Sequence, residues 1–354
     1  MKKNLRNILA LSLGLMTTIA FAQDWNADSR TRIDMSGDYD KFEAAQRATV
    51  GATWGGSDWG IHASTVVNYD LNGGNAADLD VYEAYASTDL MGYASMTVGR
   101  QALNYGSGMI IGSNDWGANR NTRDAWVFGL DLDMADVTFG YHSRMNGDSL
   151  TDGASGMYLN ASKSEGDWTA NLLYSSTTAT ADDVDGDATT LMGVDLSYAM
   201  MDGALNLNVM YNTSDDGTTD GEMTAIGATY SVNDDMSIHA TQTTYGENGF
   251  GVANTNTGAY GTDSWMSHGN LGHLGADQQN LSLGGSYSMG DFSLDVTMHS
   301  VSDENDENYE RNAMEFALGY SMSDNAGLAV NYATDNNGGE TDTKYTWLTL
   351  TITP

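Results

Sequence analysis

Apolar and polar residues alternate with a period of two along most of the chain. Leu205, Leu207, Val209 and Tyr211 alternate with Asn206, Asn208, Met210 and Asn212. Met192, Val194, Leu196, Tyr198 and Met200 share one face, and Gly193, Asp195, Ser197 and Ala199 share the other. The pattern recurs with Phe292, Leu294, Val296 and Met298 against Ser293, Asp295, Thr297 and His299. It recurs again with Met314, Phe316, Leu318, Tyr320 and Met322 against Glu315, Ala317, Gly319 and Ser321. Successive side chains of a strand point to opposite faces, so each run predicts a β-strand with one greasy side. A sandwich strand also alternates. The other face separates the two cases, because small, polar and ionisable residues suit a watery lumen rather than a packed core.

The connections alternate as well. Short ones fall at 55–58, 89–92, 134–136, 164–167, 200–203, 232–235, 289–291 and 322–325. Longer ones fall around 70–78, 103–121, 146–154, 177–188, 214–220, 246–278, 302–311 and 335–342. Short turns at one end and long loops at the other are the mark of a membrane barrel. With a first hairpin running from about 30–39 to 46–54, the pattern predicts an all-β fold: a transmembrane antiparallel β-barrel of about 18 strands, with short periplasmic turns and longer extracellular loops. A barrel of that width leaves an aqueous channel. Leu205, Leu207, Val209 and Tyr211 then face lipid, and Asn206, Asn208 and Asn212 face the lumen. Trp54, Tyr69, Tyr141, Trp168, Tyr198, Tyr230 and Tyr320 are placed as interfacial girdle residues.

The N-terminal MKKNLRN, the apolar run ILALSLGLMTTIA and Ala20-Phe21-Ala22 read as a cleaved export signal over residues 1–22. Residues 23–354 then form one barrel domain, since no Pro-rich linker or composition shift divides them. The single Pro is Pro354, which suits long uninterrupted strands. No stretch after residue 22 is apolar for long enough to form a membrane helix, so a membrane form must be a barrel. Three of the 14 Lys and Arg residues lie in the first 22 positions and none of the 48 Asp and Glu do, leaving 11 basic residues against 48 acidic ones. That balance argues against nucleic acid as a partner. There is no Cys and therefore no disulfide framework.

One stretch is more specific. Residues 97–126 read TVGRQALNYGSGMIIGSNDWGANRNTRDAW. With Val98, Gly99, Arg100, Gln101, Tyr105, Gly106, Gly112, Ser113, Asp115, Trp116, Arg120, Arg123 and Asp124, this run resembles the alginate-export family of outer-membrane porins. The resemblance implies an 18-stranded barrel acting as a passive channel, whose best-known members pass an anionic polysaccharide along an Arg-lined lumen.

The basic residues are unevenly placed. Arg30, Arg32, Lys41, Arg47, Arg100, Arg120, Arg123, Arg144 and Lys163 precede the midpoint, and only Arg311 and Lys344 follow it. Alternation points Arg47 and Arg144 inward and places Arg100 at the rim. With Arg120 and Arg123 on the adjoining loop, they would form a positive wall facing Asp131, Asp133, Asp195, Asp295 and Glu315, and the transverse field would select solutes at a constriction. A second role stays open, in which these arginines pin the 103–121 loop to the wall. The loop's Met109-Ile110-Ile111 run suggests that part of it is buried.

The expectation is therefore an outer-membrane porin of a Gram-negative bacterium, a water-filled channel for small hydrophilic or charged solutes. Its partners are lipid, lipopolysaccharide, small solutes or ions, and it is compatible with homo-oligomers. No cofactor, metal or catalysis is expected. DDVDGD (182–187) lacks the Glu and the helices of a calcium-binding hand. Two alternatives remain. An exporter of acidic polysaccharide or oligosaccharide would need a continuous basic track, and a barrel hydrolase would use His142, Asn146 and Ser149.

Overall fold

The computed structural model describes residues 24–36, 43–71, 77–115, 117, 120–146, 149–181, 184–252 and 271–353, with the side chains of 144–146 and 149–152 excepted. Eighteen strands follow one another: β1 (Asp24–Asp34), β2 (Glu43–Gly55), β3 (Trp59–Asp70), β4 (Ala77–Asp89), β5 (Ser95–Gln101), β6 (Arg123–Leu132), β7 (Ala135–Asn146), β8 (Ser149–Glu165) and β9 (Trp168–Ala181). The second half continues with β10 (Val184–Met200), β11 (Leu205–Asp215), β12 (Asp220–Asn233), β13 (Met236–Tyr245), β14 (Gln278–Met289), β15 (Phe292–Asp303), β16 (Glu310–Ser323), β17 (Ala326–Asp335) and β18 (Thr343–Ile352). Each strand pairs antiparallel with its sequence neighbours, and β18 returns to pair with β1, so the sheet closes into a ring. Closure leaves no open edge, which a sheet in hydrocarbon cannot tolerate.

The two-residue period has the expected consequence. Leu207, Val209 and Tyr211 of β11 are exposed on the outside of the ring, and Asn212 is buried inside. On β15, Phe292, Leu294 and Met298 lie outside and Thr297 and His299 inside. Tyr69, Tyr141, Trp168, Tyr198, Tyr230 and Tyr320 all lie on the exposed outer face. The short turns all stand between the expected strands, the tightest of them being residues 133–134, 166–167, 234–235, 290–291 and 324–325.

Two outer loops differ from the sequence expectation. The 146–154 and 177–188 stretches are largely strand, because β7 runs to Asn146, β8 starts at Ser149, β9 runs to Ala181 and β10 starts at Val184. Pairing persists there through β-branched Thr177, Thr178 and Thr180, and Thr180 Oγ1 donates to Asp185 Oδ1 at 2.7 Å beside a bulge between Asp185 and Ala188. Within DDVDGD, Asp182 and Asp183 lie outside the described residues, and Val184 to Asp187 belong to β10.

The interior is not uniformly wet. Leu103, Ile110 and Ile111 of the β5–β6 segment form a buried cluster with inward residues of the wall, among them Ala125, Tyr158, Leu173 and Met223. Phe250, Leu271 and Leu274 of the β13–β14 segment join the same cluster. Apolar residues face the lumen where loops fold into it.

Candidate functional site

The β5–β6 segment, residues 102–122, crosses the lumen. Strand β5 ends early, and Gly99 within it has φ 131°. A Cβ at Gly99 would stand 2.2 Å from the Ala84 carbonyl oxygen, so only glycine lets the two strands meet there. Gln101 next turns inward and its amide donates to the Gly99 and Ala125 carbonyls, each at 3.3 Å. The chain then braces itself. Tyr105 N donates to Ile111 O at 3.1 Å, and Asn121 N to Ser113 O at 2.6 Å.

At its outgoing end the segment is clamped to β8 and β10. The Tyr105 and Tyr158 hydroxyls meet at 3.1 Å, and Ser107 N donates to Asp195 Oδ2 at 3.0 Å. Gly106, with φ 54°, lies so close to Asp195 that a Cβ would collide with the carboxylate. Burial holds the Tyr105 phenol above its usual pKa, so it stays protonated as a hydrogen-bonding group.

At its returning end the segment is clamped to β1 and β2, halfway round the ring from β10. Arg30 and Arg47 lie opposite each other on these strands. Arg30 donates to the carbonyls of Asp115 (3.0 Å) and Gly117, and Arg47 donates to the same two at 3.1 and 3.0 Å. Arg120 reaches back from the segment to Asp28 at 3.2 Å and to Thr49 Oγ1, and its guanidinium stacks 3.7 Å from the centre of the Tyr82 ring. Asp28 also stands 3.8 Å from Arg47. Arg32, buried on the same face as Arg30, adds a further charge to this corner.

The other anticipated residues are dispersed. Arg123 opens β6 half-buried, near Tyr158 and His142. Asp295 accepts from Ser286 Oγ at 2.5 Å, and buried Glu315 accepts from Asn331 Nδ2 at 2.9 Å, on β15 and β16 away from the clamps. Asp131 is exposed near the periplasmic end of β6. Asp133 is not a lumen residue. It occupies the turn after β6, where its carbonyl accepts from Lys163 Nζ at 2.8 Å. Arg100 is not part of the inner wall either: it shares its face with Val98 and pairs with Asp124, which shares its face with the outward Trp126. Both bonds of this pair measure 2.9 Å, and the side chains are 41% and 50% exposed. The side chain of Arg144 and all of Trp116 lie outside the described residues. Of the hydrolase candidates, His142 is buried on β7, and the side chains of Asn146 and Ser149 lie outside the described residues. Among the described residues no cluster of three or more His, Asp or Glu is placed to hold a metal ion.

The family model described as Gram-negative porin matches residues 9–350. The chain belongs to the Gram-negative porins. It is an outer-membrane channel for small solutes. Solved structures share its fold at low identity. OccK5 (OpdH) of Pseudomonas aeruginosa is 16% identical with a TM-score of 0.71 over 94% of this chain and 98% of that one. OpdK of the same organism is 13% identical with a TM-score of 0.72 over 94% and 99%. OccAB4 of Acinetobacter baumannii is 12% identical with a TM-score of 0.68 over 94% and 98%. A comparison with curated proteins gives no match.

These findings overturn the resemblance to alginate-export porins, and with it the polysaccharide exporter. The shared residues have a local explanation in this porin. Gly99 and Gly106 are demanded by close backbone approach, Gln101, Tyr105 and Asp115 bind the crossing segment to the wall, and Arg100 and Asp124 pair across two strands. Any barrel with an infolded loop has those needs, so they do not single out one family. Arg30 and Arg32 were missed as site residues, although the signal existed: both have the same parity as Asp28, and Arg30 falls opposite Arg47 in the first hairpin.

Proposed function

We propose that the porin conducts small hydrophilic solutes passively, with no covalent step, through a lumen narrowed by residues 102–122. The observation that carries this reading is the pair of clamps, Tyr105 and Ser107 on β8 and β10 and the Arg30–Arg47–Arg120 corner on β1 and β2. A segment held at both sides of a ring is a fixed constriction, and width and wall charge then select. The corner is positive, with Asp28 as its nearest counter-charge, and Asp195 lies across from it. Arg30, Arg47 and Arg120 therefore serve as wall charges and loop anchors together, with Arg123 a further wall charge on β6. Residues 1–22 fit this reading as an export signal.

Planar-bilayer recording of the refolded chain tests it. Discrete ohmic steps are expected, and shortening residues 103–114 should raise the step size severalfold. A shortened variant that opens with wild-type conductance refutes the constriction.

A further inference from the structure

The inward faces of β11 to β15 form a continuous wall with its own chemistry. Met210, Met223, His239 and Tyr245 stand on it, together with Asn280 and His299. Met109 from the crossing segment and Leu271 and Leu274 from the β13–β14 segment line, with this wall, a half-open cavity of about 320 Å³. That is room for one small molecule. In a chain with 48 acidic residues, no Asp, Glu, Lys or Arg lines this cavity among the described residues. A charge entering it would meet no carboxylate, lysine or arginine among the described residues, which disfavours ions relative to neutral solutes.

Its lining combines two chemistries. Three thioethers, Met109, Met210 and Met223, supply its apolar lining with Leu271 and Leu274. Methionine sulfur packs favourably at the edge of aromatic rings. In its polar lining, Asn280 Nδ2 lies 3.1 Å from His299 Nδ1. An amide NH₂ can only donate, so Nδ1 accepts and the neutral ring carries its proton on Nε2. Asn280 is 8% exposed, and its Oδ1 is buried with no hydrogen-bond partner among the described residues. A buried acceptor left unmet is unfavourable, and a solute that donates to it once the Asn280 amide turns toward the cavity removes the penalty.

We propose that this cavity is a binding subsite for an uncharged aromatic solute bearing a hydroxyl or primary carboxamide. The ring lies among the methionines and leucines, and the polar group donates to Asn280 Oδ1. This deepens the channel reading and rests on it.

The test is current through the open channel in a planar bilayer, with benzamide as the neutral probe and benzoate as its charged counterpart of similar shape. Benzamide should interrupt the current saturably, and benzoate should need at least roughly tenfold more for the same block. Asn280→Leu should weaken the benzamide block about tenfold, roughly the loss of one hydrogen bond, and channel opening by the variant reports that it has folded. Equal block by benzoate, no saturable block of an open channel, or wild-type block of N280L would each overturn the subsite. Should N280L fail to insert, the benzamide and benzoate comparison on the unaltered chain decides by itself. A chain that opens no pores at all defeats the channel reading instead.

Discussion

Single side chains in this barrel divide by the face they occupy. Arg47 points inward and holds two loop carbonyls, whereas Arg100 points outward and holds Asp124 and, at 3.5 Å, the Val81 carbonyl. Charge-assisted hydrogen bonds contribute about 1.5–3 kcal/mol, so Arg47→Ala should loosen the crossing segment and appear as frequent sub-state flicker in single-channel traces. Arg100→Ala should leave conductance and selectivity as they are, because a half-exposed ion pair contributes on the order of 1 kcal/mol or less. His273, in the β13–β14 segment, offers a pH probe. Its Nε2 accepts the Val252 N–H at 3.5 Å, its ring meets Phe250 edge-on with centroids 5.7 Å apart, and burial lowers its pKa below the ordinary 6.5. A depressed histidine pKa means that the docked form prefers the neutral ring. Its contribution is complete above pH 6.5 and falls away as pH drops through the lowered value. Protease cleavage within 246–277 should therefore accelerate on acidification, and His273→Gln should flatten that response. Residue parity made Arg47 legible from the sequence. The docking of His273 was not legible, since it depends on where a long loop lands.

Elements were legible to the extent that they are local. A two-residue period and a short turn are written within a dozen residues, which is why the eight inner turns and the hairpins they join fall where the pattern predicts. The heights of β7 to β10 were hidden, because glycine- and aspartate-containing stretches read as loops even where neighbouring strands keep them paired. The path of residues 102–122 was hidden too. Met109-Ile110-Ile111 signalled burial without saying against what, and the partners come from β8 to β12 and from β1 and β2. Asp195→Ala removes the acceptor of Ser107 N while leaving the arginine corner intact. The expected outcome is a modest rise in conductance, smaller than that from shortening the segment itself, measured as the unitary current step.

For the molecule as a whole, charge sits at two depths. Carboxylates such as Asp215, Asp216 and Asp220 crowd the exposed outer rim, where Asp216 is held below its usual pKa by hydrogen bonds from Thr218 and Thr219 and stays ionised. The arginines stand buried at the constriction. Salt screens exposed charges within about 10 Å at 0.1 M and about 3 Å at 1 M, and buried charges far less. Reversal potentials should therefore show a weak cation preference at low salt that fades or reverses at high salt. A preference that ignores ionic strength would contradict this layering. Ring closure itself was legible from the even strand count and the alternating connections.

The ring also has a seam. All of β1 lies along β2, but only Ser29–Asp34 of β1 meets β18. Because β18 completes the cylinder, the wall cannot seal until that strand has met β1, and this short zipper is where it would part first under strain. Arg30 and Arg32 stand within the paired stretch of that zipper, and Arg30 grips the crossing segment across it. The bolt of the inner barrier is thus set beside the joint of the outer one, so assembly of the passage waits on assembly of the wall.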